Sequence, residues 1–65
     1  MNWDQVEGKW TEFTGNAKAQ WGKLTDDELT EINGNREALA GKIQAQYGRT
    51  KEEAEQEIDA WLDRH

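Results

Sequence analysis

The sequence predicts an all-α protein: a small four-helix domain in which two helical hairpins pack roughly orthogonally, the second an internal copy of the first. Three observations carry this. Apolar residues recur at intervals of three and four, and nothing alternates at the period of two that a strand requires. The six glycines form two triplets, Gly8, Gly15, Gly22 and Gly34, Gly41, Gly48, spaced by seven within a triplet and by 26 between triplets. The residues around them follow the same shift. Ala19-Gln20-Trp21-Gly22-Lys23 aligns with Ala45-Gln46-Tyr47-Gly48-Arg49, Val6 with Ile32, Phe13 with Leu39, and Ala17 with Ile43. After the third glycine one residue is dropped, so that Thr25-Asp26-Asp27-Glu28 matches Thr50-Lys51-Glu52-Glu53. The chain therefore reads as a single domain, 1–65, of two pseudo-two-fold related units of approximately 2–33 and 34–65. Two copies are too few for a solenoid.

The first helix is marked by Trp3, Val6, Trp10, Phe13, Ala17 and Trp21, which at helical spacing fill an arc of about 80°. Asn2 and Gln5 have the spacing of a capping box at its start. Gly22 is placed to end it in the left-handed conformation that glycine adopts without steric cost. The second helix begins at another capping box, Thr25 with Glu28, and Asp26 and Asp27 favour its N-terminal dipole. Leu29 and Ile32 form its inner face, and Asn33-Gly34 stops it. The third helix carries Leu39, Ile43 and Tyr47 on one face and ends at Gly48. Thr50 and Glu53 cap the fourth, whose apolar face is Ala54, Ile58, Trp61 and Leu62.

Gly8, Gly15 and Gly41 fall inside these helices, about 160° from the centre of the apolar stripe, and the sequence leaves open whether Gly8 interrupts the first. They read either as softening residues on a solvated face or as a smooth groove for a partner. Leu, Ile, Val and Phe number only nine of 65 residues. Four Trp and one Tyr make up part of that shortage, and low stability is expected.

Composition excludes several chemistries. With no Cys, Ser or Pro, and with His65 as the only histidine, there is no disulfide, no Cys/His zinc site, no Ser or Cys nucleophile and no internal histidine base. Eight basic against fourteen acidic residues give a net charge of −6 and a pI near 4.6. The bases are scattered singly among acids, which disfavours nucleic acid and anionic membrane surfaces alike. No apolar run approaches the roughly 18–20 residues of a membrane span, and the N-terminus lacks the features of a signal peptide. A soluble, cytoplasmic protein is expected.

Four motifs invite a functional reading. Gly15…Gly22-Lys23 and Gly34…Gly41-Lys42 have six residues between the glycines and no Ser or Thr after the Lys, unlike a phosphate loop. Asp26, Asp27, Glu28 and Glu31 lack the register of a calcium loop and serve as N-terminal helix acids. The stripe of Trp3, Trp10 and Trp21 is the core of the domain, or, if the first helix docks loosely, a partner-binding face. Gly48-Arg49-Thr50-Lys51 resembles a helix-hairpin-helix turn for DNA phosphates, but Glu52, Glu53, Glu55 and Glu57 follow it and repel such a backbone. No catalytic, cofactor-binding or metal-binding residue is assigned.

The glycine spacing, the string Gln20-Trp21-Gly22-Lys23-Leu24-Thr25-Asp26-Asp27-Glu28, and Gly41-Lys42-Ile43-Gln44 with Tyr47-Gly48 together resemble the CsbD family of small bacterial stress-response proteins, including its YjbJ branch. The resemblance covers nearly the whole chain. It implies a bacterial, cytoplasmic protein induced under general stress and a small helical fold, and it carries over no catalytic or binding residue. The glycine content and a mean hydropathy of −1.19 also resemble the hydrophilins, polar proteins linked to water deficit. The expected function is thus non-enzymatic and without cofactors: protection of macromolecules under osmotic or other stress. Proteins are the expected partners, met transiently, and the chain is a monomer or weak homo-oligomer. A folded interaction module with one specific partner is the alternative, with a helix-hairpin-helix nucleic-acid binder behind it.

Overall fold

A computed structural model describes residues 1–64, and among them the chain forms five helices and no strand. They are α1 (Trp3–Gly8), α2 (Trp10–Gln20), α3 (Asp26–Ile32), α4 (Arg36–Tyr47) and α5 (Lys51–Arg64). His65 lies outside the described residues.

The helix starts follow the sequence. Asn2 Oδ1 accepts from the Gln5 N–H at 3.0 Å while Gln5 Oε1 accepts from the Asn2 N–H at 3.2 Å. Thr25 with Glu28 and Thr50 with Glu53 make the same reciprocal pair at 2.8–3.1 Å. Asn35, which the periodicity does not mark, caps α4 by accepting from the Ala38 N–H at 2.9 Å. Each cap satisfies amide donors that the first helical turn leaves without a partner. The stops at Asn33-Gly34 and Gly48 are left-handed, with φ of 47°, 80° and 66° respectively.

Two expectations are corrected. The first helix does not run from 3 to 21: it breaks at Lys9 (φ −125°, ψ 32°), which raises the helix count from four to five among the described residues. The physical reason lies in Trp3. Bending at Lys9 brings its ring to 6.0 Å from Trp10 and 6.5 Å from Trp61, and its indole N–H donates to the Gly34 carbonyl at 2.8 Å. A straight helix would carry it away from them. Gly22, in turn, does not take the left-handed conformation. The helix ends instead on Trp21 (φ −122°, ψ 77°), because the chain must turn there to bury Leu24.

Helices adjacent in sequence pack on each other, α1 on α2, α2 on α3, α3 on α4 and, most extensively, α4 on α5. This places the core between α4–α5 and the three N-terminal helices. Every buried side chain among the described residues is apolar, from Val6 and Trp10 through Leu24, Leu39 and Ile43 to Ile58 and Trp61. The radius of gyration, 10.5 Å, matches the value of about 11 Å for a folded domain of this length. A small core is therefore fully assembled, with aromatic bulk in place of aliphatic number.

Candidate functional site

Three regions bear on function, and the aromatic face is the first. Trp61 on α5 is its hub: its ring stands 5.4 Å from Trp21 and 6.1 Å from Phe13, edge to face in both cases, and 6.5 Å from Trp3. Such tilted arrangements place the positive edge of one ring over the negative face of the next. Trp10 is buried and its N–H donates to the Leu29 carbonyl at 2.8 Å. Trp21 is buried, and its N–H donates to Glu57 Oε1 at 3.2 Å. Of the stripe's two readings, the structure thus gives the core, with Trp3 and Phe13 half-buried at its edge.

The second region joins the two matching inter-helix turns. The Lys23 N–H donates to the Tyr47 hydroxyl at 3.1 Å, and the Lys23 ammonium sits 5.1 Å above the Tyr47 ring. Glu57 accepts from Trp21 on one oxygen and from Arg49 Nε, at 2.9 Å, on the other. Lys51 pairs with Glu37 at 3.6 Å. Both cations of the helix-hairpin-helix-like turn are therefore already matched by carboxylates, which leaves little positive field for a phosphate.

The third region is the bend between α1 and α2. An open depression of about 320 Å³ lies in its crook, lined by Met1, Asp4, Gln5, Gly8, Lys9 and Phe13. A second, of about 310 Å³, lies against Lys9 and Asn33. Met1 is the one large hydrophobic residue that is exposed among those described. Among the described residues Lys9 makes no ion pair, unlike Lys18, Arg36, Lys42, Arg49 and Lys51. Gly8, Gly15 and Gly41 have nothing within 4 Å of a Cβ position, so they lie on open surface.

The electrostatics are those of capping and surface pairing. The Thr25 backbone N–H holds the Glu28 carboxyl below its ordinary value, and the Gln46 amide and Lys42 add to this. Glu53 is lowered in the same way by Thr50. The hydrogen bond to Glu31 raises Lys42. Partial burial disfavours the charge of Arg36, but its contacts with Asp59 (2.6 Å) and Glu55 (3.3 Å) outweigh that and raise it. The displaced carboxyls move down, away from the range of a general acid at neutral pH. Among the described residues no group of three acidic or histidine side chains is placed to hold a metal ion. Nor is any helix among them long and apolar enough to cross a membrane.

The partners of the indole N–H groups were not legible in the sequence. Two are backbone carbonyls, which any residue supplies, and Glu57 is one of four acids in the first half of α5. The position of Glu57 one residue before Ile58, beside the buried face, is the only signal for it.

The fold and surface define a small acidic helical protein with a closed aromatic core and an open bend near its N-terminus. The family model described as CsbD-like matches residues 4–56. The chain is 57% identical over its whole length to the UPF0337 protein ECA0631 of Pectobacterium atrosepticum, covering 94% of that protein. It is 54% identical to the UPF0337 protein YjbJ of Escherichia coli O6:H1, again covering 94%. Against a UPF0337 protein of Bordetella pertussis it is 58% identical and covers 98%. The chain belongs to the CsbD-like family. The names of these relatives specify no activity.

Proposed function

We propose that this protein is a non-enzymatic stress protein of the cytoplasm that protects other macromolecules when water or ionic conditions change. The observation that carries the reading is the division between interior and surface. Among the described residues all buried side chains are apolar, while the outside is polar and acidic with a single exposed large hydrophobic residue. Such a particle keeps a hydration layer, repels its own kind, and separates other proteins as water is withdrawn. Membership of a family associated with general stress supports the same reading. The action comes from a compact acidic surface rather than from a largely solvated chain.

A labile enzyme dried and rehydrated with this protein should keep more activity than with an equal mass of an unrelated acidic protein. Equal recovery overturns the proposal. A second reading, a folded module with one specific partner, is favoured by the depression between Met1 and Phe13, which Lys9 also lines. It requires a stoichiometric partner whose binding is lost in Lys9→Glu.

A further inference from the structure

The α1–α2 and α3–α4 junctions stand 26 residues apart, at matching places in the repeat, and are built differently. Between α3 and α4 the chain turns through Asn33 (φ 47°, ψ 39°) and Gly34 (φ 80°) and restarts on the Asn35 side-chain cap. Between α1 and α2 only Lys9 leaves the helix, with no left-handed residue and no side-chain cap. The hydrogen-bond ladder nearly spans it. The Lys9 N–H donates to the Val6 carbonyl and the Phe13 N–H to the Lys9 carbonyl, both at 3.2 Å. Rotating Lys9 alone to about φ −63°, ψ −42° would make one helix from Trp3 to Gln20. The apolar stripe of that straight helix already runs unbroken through the junction, and Lys9 lines two open depressions.

What holds the bend is the docking of α1. Val6 is fully buried, and Trp3 lies against Trp10 and Trp61 with its N–H on the Gly34 carbonyl. Six residues are too few to stand as an independent helix. When Lys9 straightens, Trp3 and Val6 leave this seat, and both they and the seat must be covered again. The segment whose side chains and indole donor match the seat is residues 1–8 of another copy.

We infer that residues 1–8 are an exchangeable arm: Lys9 straightens, and α1 of each chain docks in the seat vacated on a second copy, giving a symmetric dimer. Trp3 then donates to the partner's Gly34. The contacts that seat Trp3 and Val6 are kept and only their chain of origin changes, which is why such exchange needs no new surface. The net charge of −6 on each copy opposes the approach, so the dimer is favoured by salt. The inference stands apart from the protective role and fails or holds independently of it.

Sedimentation of the full chain, re-equilibrated through its melting transition at about 1 mM in ~0.5 M salt, tests this. A dimer is expected, and in a mixture of isotope-labelled and unlabelled chains the Trp3–Trp61 nuclear Overhauser contacts appear between chains. Lys9→Gly, which disfavours the straight helix in both chains of the dimer, should lower the dimerisation constant about tenfold. Lys9→Ala, a strong helix former, should maintain or raise it. A chain that stays monomeric under these conditions overturns the inference. So does a dimer whose Trp3–Trp61 contacts remain within one chain, or one indifferent to Lys9→Gly.

Discussion

The indole N–H of Trp21 donates to the carboxylate of Glu57, 36 residues further along the chain, and so ties the turn after α2 to the middle of α5. The other oxygen of Glu57 accepts from Arg49, so one side chain holds both inter-helix turns. Glu57→Ala leaves the buried Trp21 with a donor and no acceptor. We expect it to cost about 1–2 kcal/mol in urea unfolding. In a Trp21→Phe background, where that donor is gone, the same substitution should cost measurably less, and a double-mutant cycle reads the difference.

The glycines separate into two classes. Gly15→Ala and Gly41→Ala place a methyl group in open space within helices, and each should stabilise by about 0.5–1 kcal/mol. Gly34→Ala behaves in the opposite way. Its φ of 80° strains any side chain, and its Cβ would stand 3.2 Å from the Glu7 carbonyl oxygen and 3.3 Å from the Glu7 Cα. A loss of about 2 kcal/mol is expected, with the Trp3 environment disturbed as α1 is displaced. Melting midpoints and near-ultraviolet circular dichroism check both.

Trp61 touches three other aromatic rings, so truncating it removes the hub of the core. Trp61→Ala should cost about 3–5 kcal/mol, enough to unfold a domain this small. Trp61→Phe keeps part of the volume and should leave a cooperative but lowered melt. Loss of the near-ultraviolet signal in the first and its retention in the second would be the observed pattern.

The capping carboxyls set the acid limit. Glu28 and Glu53 have folded-state pKa values below the ordinary 4.5 because the Thr25 and Thr50 amides bond to the charged form. Their contribution is therefore complete above pH 4.5 and is lost as the pH falls through the lower, folded values. Urea midpoints should decline below about pH 4.5, and less steeply in Glu28→Gln/Glu53→Gln, which keeps an acceptor without a titrating group. At the other extreme, Lys42 is raised above 10.5 by Glu31, so its contribution is present below that pH and fades above it.

Most of the fold was legible because short-range rules wrote it. The three capping boxes are sequence patterns four residues long, and the stops at Asn33-Gly34 and Gly48 follow from which residues tolerate positive φ. For the opposite reason the break at Lys9 is not fixed by the sequence, which leaves open only whether Gly8 interrupts the helix. Periodicity runs straight through it, and the bend is imposed by a carbonyl and a ring that lie 31 and 58 residues from Trp3 in sequence. Leu24 was missed as a core residue because it sits in a turn, outside any helical period. Of the candidate sites, the reading of the Trp stripe as core was correct. The open bend beside Phe13 could not be seen without knowing where α1 docks.

Three of the four tryptophans fasten different joints: Trp3 secures α1 to the α3–α4 turn, Trp10 secures α2 to α3, and Trp21 secures the following turn to α5. Indole emission responds to the polarity and hydrogen bonding around the ring. Variants retaining one of these three would therefore act as separate gauges, one for each seam. The order in which the seams open, on heating, drying or dilution, is written into the chain's own fluorescence and needs no added label.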